Sequence, residues 1–225
     1  MKTGAVLGLS FCLLSAAAST PADAQVYSRG PGLGLSVPDN TYNGSQGSML
    51  CDTLAVPSGG GGGDLVDTVD IQIAMSHTFV GDLTIKLFGP TGAVTTLVSR
   101  PGVIETADDG NDTAGFGENS NLAIANPLTY DQSAATESEM MGKTPIDLST
   151  SQTICLDGGT PCTYNPNNGA ATTGEDLDVD FDGLTKVGNW QLCIGDSAGA
   201  DVGTLDGWTL TIGSVPVELL GIEIE

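Results

Sequence analysis

The chain reads as an all-β protein with a single domain, and alternation, turn chemistry and composition all point that way. Val69, Ile71, Ile73 and Met75 share one face of a segment whose other face carries Asp70, Gln72 and Ala74. Leu83, Ile85 and Leu87 alternate in the same way with Asp82, Thr84 and Lys86. A period of two marks a half-buried antiparallel strand, because successive side chains leave a strand on opposite faces. Turn signals at 77–81 and 88–92 bracket these runs, and 32 glycines suit a turn-rich β protein. Apolar residues make up 40% of the chain and are patterned, which argues against disorder.

The elements follow in order. Lys2, an apolar stretch over 5–18 and Ala22-Asp23-Ala24 have the layout of a secretory signal, with cleavage expected before Gln25. The stretch is too short for a permanent membrane span. A lipoprotein reading of Cys12 is set aside, because Phe11 stands where a small residue is needed. Residues 25–47, rich in Gly, Pro, Ser and Asn, are expected to form a leader or linker. The domain proper is placed at 48–213. It begins with a strand over 48–56, stopped by Pro57 and the glycines of 59–63; that run lacks the lysine and the following helix of a phosphate cradle.

After the two alternating strands comes a third over 94–98. The middle, 100–174, is polar and loop-rich, with a short strand at 128–131 and a slight helical tendency at 134–141. The acidic run 175–180 reads as a solvated strand face. Alternation resumes with Trp190, Leu192 and Ile194, and again with Trp208, Leu210 and Ile212. Residues 214–225 are a closing strand or a tail, without the apolar helix and basic end of a membrane anchor. No long amphipathic helix and no internal repeat is present.

The formal charge is −22, from 28 acidic and 6 basic residues. Such a surface repels nucleic acid and anionic lipid. Four cysteines remain after the signal, Cys51, Cys155, Cys162 and Cys193, and an even number in an exported chain suggests disulfides. Cys155 and Cys162 flank a turn-forming loop and are paired on that ground; Cys51 and Cys193 then pair by elimination. A zinc site is the rival, but the spacing offers one close pair only.

Three stretches resemble the P domain, or P/Homo B domain, that follows the catalytic domain of subtilisin-like proprotein convertases. The first, residues 77–92, carries His77-Thr78, Gly81-Asp82-Leu83 and Pro90-Thr91-Gly92 in the family's order. The second runs from Phe181-Asp182-Gly183-Leu184 to Gly188-Asn189-Trp190, where the family usually has Gly-Thr-Trp. The third, residues 196–210, holds Asp196, Asp201, Gly203, Leu205 and Trp208. The resemblance implies a jelly-roll β-sandwich, galactose-binding-like, of about eight antiparallel strands. Its inward faces would carry Val69, Ile71, Ile73, Leu83, Ile85, Leu87, Trp190, Leu192, Trp208 and Leu210. It implies a function too. A P domain stabilises a neighbouring protease domain and tunes its calcium and pH response, without being the protease. The expectation is a secreted, free-standing accessory module, with an extracellular subtilisin-like or other protease as partner.

Other chemistry is weighed beside this. Gly195-Asp196-Ser197-Ala198-Gly199 fits Gly-x-Ser-x-Gly, and with His77 it spells a serine-hydrolase order. A nucleophile elbow, however, needs a strand running into a helix, and Ser197 is followed by a Gly- and Asp-rich loop. His77 is the sole histidine and is expected to be a hydrogen-bonded structural residue. Calcium, which takes six to eight oxygens from loops, is the metal expected. Its candidate ligands are Asp196 and Asp201 with carbonyls near Val202 and Gly203, and separately Asp108, Asp109, Asn111 and Asp112, with Asp131 as a contributor. A calcium-dependent adhesin or glycan-binding module is the alternative function, which an exposed aromatic strip beside the acidic loops would favour; Trp190 and Trp208 are candidates for such a platform, but their strand context places them in the core.

Overall fold

A computed structural model describes residues 24–59, 63–103, 105, 117–167, 169 and 175–214. Two sheets face each other. The larger is built on β4 (Val66–His77) and β10 (Gly203–Ser214), antiparallel over their whole length. On one side β10 pairs with β1 (Gln25–Arg29) and with the short β2 (Leu35–Ser36). On the other, β4 pairs with β7 (Leu128–Tyr130), which pairs in parallel with β8 (Thr163–Tyr164). The second sheet runs β3 (Leu50–Val56), β9 (Gly188–Asp196), β5 (Leu83–Phe88), β6 (Val94–Ser99).

The all-β sandwich expected from the alternation is what forms. The residues placed on the inward faces are all buried: Val69, Ile71, Leu83, Leu87, Trp190, Leu192 and Leu210 are fully enclosed, and Ile73, Ile85 and Trp208 almost so. The strand count differs, at ten among the described residues, with β7 and β8 parallel. Part of the excess comes from the segment expected as a leader. Gln25–Arg29 pairs residue by residue with 208–212 of β10, and Val37 and Tyr42 are buried. A strand this short gives little sequence signal, and it is ordered by the backbone of the strand it joins.

The acidic run also departs from expectation. Instead of a strand face, Leu177–Phe181 is a short helix, α1, whose N-cap Asp176 accepts from Val179 N at 3.1 Å. Leu177 and Phe181, four apart, are buried, and the Phe181 ring lies 4.9 Å from that of Trp190. The aspartates between them serve the sheets: Asp178 Oδ1 accepts from Val69 N at 2.9 Å, and Asp180 Oδ2 from Thr95 Oγ1 at 2.6 Å. Carboxylates that satisfy strand donors turn an acidic run into part of the core's rim. The helical tendency at 134–141 amounts to one 3₁₀ turn, Ser138–Met140.

Both disulfides join as expected, Cys155 to Cys162 across the turn-forming loop and Cys51 to Cys193, the pair left by elimination. Cys51 and Cys193 are direct cross-strand partners, on the sheet face covered by Tyr42, Met49 and Phe88. The segment read as a secretory signal, most of the glycine run and the residues beyond Ser214 lie outside the described residues.

Candidate functional site

The residues of the first and third motifs meet at one end of the sandwich. β4 ends on His77, a 3₁₀ turn over Val80–Asp82 follows, and β9 arrives alongside, ending on Asp196. His77 Nε2 lies 3.1 Å from Asp196 Oδ2, both side chains fully buried. His77 Nδ1 is 2.8 Å from the Phe79 carbonyl and 3.1 Å from its amide. The other Asp196 oxygen accepts from Ala198 N at 3.0 Å, and the Asp196 carbonyl from Thr41 N and Tyr42 N at 3.0 and 2.9 Å. Asp196 thus holds the loop 197–202, the end of β4 and the segment after β2 together.

The glycines of the motifs have steric reasons. A Cβ on Gly203 would stand 2.5 Å from His77 Cδ2, and one on Gly81 would stand 2.6 Å from Glu118 N. No larger residue fits either place. Leu205 and Leu83 are core residues. Thr78 Oγ1 donates to Asp201 Oδ1 at 2.7 Å and accepts from Val202 N at 3.2 Å, which closes the far side of the loop.

Inside this frame lies a cavity of about 140 Å³ lined by Phe79, Asp82, Ala198, Gly199 and Asp201. Asp82 is 5% exposed. Among the described residues no donor reaches its carboxyl; the Asp82 carbonyl, by contrast, accepts from Ser197 N at 2.9 Å. Burial, with Asp196 and Asp201 adding to it and His77 and Arg100 opposing, pushes its pKa up to about 6. Sequence reading picked out Asp82 as a motif residue and gave it no site role; the signal was its place beside Gly81 in a turn, where an aspartate caps turns as a rule.

The hydrolase geometry is not assembled. One imidazole nitrogen faces Asp196 and the other the backbone of Phe79, and Ser197 Oγ is buried with no hydrogen-bond partner. A triad requires the base on the nucleophile's hydroxyl and the carboxylate on the base's other nitrogen. Here the aspartate occupies the nitrogen the serine would need, or the backbone does.

The carboxylates expected to bind calcium at this loop, Asp196 and Asp201, also make contacts within the fold. Both Asp196 oxygens are engaged within the fold, and among the described residues no three of His, Cys, Asp and Glu converge to hold a metal. Asp131 lies elsewhere, its Oδ1 accepting from Ser133 N at 2.7 Å and its charge felt at Asp70 and Asp178. Asp108, Asp109, Asn111 and Asp112 lie outside the described residues.

The tryptophans are core, as their strand context indicated. Trp190 Nε1 donates to the Lys186 carbonyl at 2.9 Å and Trp208 Nε1 to Asp52 Oδ2 at 2.8 Å. Neither is a glycan platform. Sequence reading missed several buried charges altogether. Lys186 is fully enclosed, donating to Ser214 Oγ at 2.8 Å and Gln25 Oε1 at 3.1 Å. Glu118 is paired with Lys143 Nζ at 3.4 Å, and burial pushes Glu139 up to about 8.

Comparison with known proteins agrees with the first motif. Residues 66–126 match the family model of the proprotein convertase P-domain. The match spans about a quarter of the chain, and the stretch that holds His77, Gly81 and Asp82 lies inside it. No curated protein matches the sequence significantly. Among solved structures, the serine protease of Aeromonas sobria in complex with its chaperone is similar at 13% identity and a TM-score of 0.44, covering 87% of this chain and 28% of that one. The same serine protease crystallised as "serine protease of Aeromonas sobria" gives 12% identity, a TM-score of 0.44, and 86% and 27% coverage. This chain thus spans little more than a quarter of the length of those proteases.

Proposed function

We propose that the protein is a secreted, non-catalytic accessory module that docks onto an extracellular protease, subtilisin-like or of another class, and stabilises it. The observation that carries the reading is the P-domain match over residues 66–126, whose motif residues are consumed in holding the fold: His77 binds Asp196, and Gly81 makes room for Glu118. Secretion is supported by the layout of residues 1–24 and by two disulfides, which persist in oxidising compartments. No helix among the described residues is long and apolar enough to cross a membrane.

The test is to mix the purified mature protein with secreted proteases of its own host and follow their inactivation half-life and complex formation by light scattering. A 1:1 complex with a lengthened half-life is expected. Labelling of this chain at Ser197 by a fluorophosphonate probe, lost in Ser197→Ala, would replace the accessory reading with a hydrolase.

A further inference from the structure

The cavity at the Asp82 end of the sandwich sets acidic side chains beside an apolar wall. Its floor is a carboxylate that is 5% exposed and meets no donor among the described residues. The two basic side chains nearest Asp82 are already engaged: His77 on Asp196, and Arg100 with Nε toward the Gly81 carbonyl at 3.4 Å. Asp201 stands on the wall, and Asp39 at the rim, where its Oδ2 accepts from Ala200 N at 3.4 Å. Phe79, half-buried, forms the apolar side, and Gly199, exposed, leaves the mouth free of side chain.

A buried carboxylate without a partner is costly, since desolvation is not returned by a hydrogen bond. The ligand that would offset that cost here is a cation. Among the described residues no three His, Cys, Asp or Glu side chains converge here to hold a metal ion. A guanidinium or ammonium head needs one or two carboxylates as acceptors and an aromatic face to lie against. About 140 Å³ accommodates such a head with part of its stem. The chain's charge of −22 also favours a partner that presents basic residues.

We propose that the cavity between Phe79, Asp82 and Asp201 is a docking pocket for one basic side chain, arginine above all, on the surface of the partner protein. The inference rests on the docking reading and names its chemistry. The partner's arginine would enter past Gly199, donate to Asp82 and Asp201, and stack on Phe79.

Titration of the ¹⁵N-labelled mature protein with N-acetyl-arginine amide tests the pocket without any protease. Saturable shifts of the Ala198, Gly199 and Asp201 amides are expected, with none from N-acetyl-norleucine amide. Asp82→Asn should weaken binding at least tenfold while the rest of the spectrum stays in place. Should that variant fail to fold, Phe79→Leu and Asp201→Asn each take its place, with binding weakened in both. Absence of shifts, shifts unchanged in these variants, or tighter binding of calcium chloride at the same amides would overturn the pocket. The first two results would leave the docking reading standing, because complex formation with a protease is measured separately.

Discussion

His77 Nε2 meets Asp196 Oδ2 at 3.1 Å across 119 residues of sequence, in a site from which water is excluded. The contact binds the two best-defined motifs of the chain to each other. Replacing one partner leaves a buried polar atom of the other without its hydrogen bond, and such losses run at about 1–3 kcal/mol. Asp196→Ala also frees Ala198 N and so loosens the loop 197–202. The expected outcome is a fall of that size in urea unfolding, with the midpoint lowered and the slope unchanged. Ser197→Ala, by contrast, removes a hydroxyl that has no partner and should be neutral or slightly stabilising. A catalytic constellation would instead make Ser197 the sensitive position in an activity assay, with both variants equally inert.

The sandwich was legible where one face of a strand is buried and the other wet, because burial writes a period of two into the sequence. Val69 to Met75 and Leu83 to Leu87 are such cases, and so are the two tryptophan strands. Gln25–Arg29 was not legible, since its place is fixed by hydrogen bonds to the backbone of β10 and by one long-range ion pair. Backbone pairing leaves no side-chain pattern. The helix at Leu177 escaped for a related reason: two apolar residues four apart in an acidic run are as compatible with a strand edge as with one helical turn. At the candidate site the motifs located the residues, yet Asp82, the carboxylate left unpaired, is distinguished from Asp196 only by which donors the fold supplies.

Asp82 and Asp70 should make the protein more stable in mild acid. Both carboxyls are pushed up to about 6, chiefly by burial, with neighbouring aspartates adding to it. An unfolded aspartate titrates near 4. Between about pH 4 and 6 the folded chain therefore holds protons that the unfolded chain has released, and the contribution of these groups to stability falls as pH rises. Above about pH 6 their full cost is present. Asp82→Asn should raise the thermal midpoint at pH 7.5 by several degrees, each kcal/mol being worth about 2–4 °C in a chain of this size, and change it little at pH 4. A midpoint lowered at pH 7.5 would mean that the ionised carboxylate has a partner. The same logic predicts that N-acetyl-arginine amide binds more tightly at pH 7.5 than at pH 5, since only the ionised form accepts both of its hydrogen bonds.

Arg29 and Asp52 tie the first strand to the opposite sheet. Arg29 donates Nε to Oδ2 at 3.0 Å and Nη2 to Oδ1 at 2.9 Å, and Trp208 Nε1 shares Oδ2. Burial opposes ionisation of Asp52, but these hydrogen bonds and the guanidinium charge outweigh it and hold the carboxyl below the usual range. Its contribution is present above about pH 4 and is lost as pH falls through the lowered value, opposite in sign to Asp82. Asp52→Ala should destabilise more than Arg29→Ala, because it alone leaves the Trp208 indole N–H buried without an acceptor, at about 1–3 kcal/mol. Urea midpoints for the two variants and the wild type at pH 7 decide the order. Equal losses would show that the surface-side ion pair, and not the core hydrogen bond, dominates.

The two disulfides should differ in worth, because they close loops of very different size. Cys51 and Cys193 are 142 residues apart and Cys155 and Cys162 only 7. In the chain-entropy view a cross-link removes freedom from the unfolded state in proportion to the logarithm of the loop, which gives about 5 kcal/mol for the long loop and about 2 for the short one. The long one also sits between paired strands under Tyr42, Met49 and Phe88, so its loss opens packing as well. Replacing Cys51 and Cys193 together by alanine is expected to lower the thermal midpoint at least twice as far as replacing Cys155 and Cys162. Equal drops would mean that the short bridge does more than close its own loop, holding Ile154 in the core and with it the segment that pairs Asn121 with Thr153.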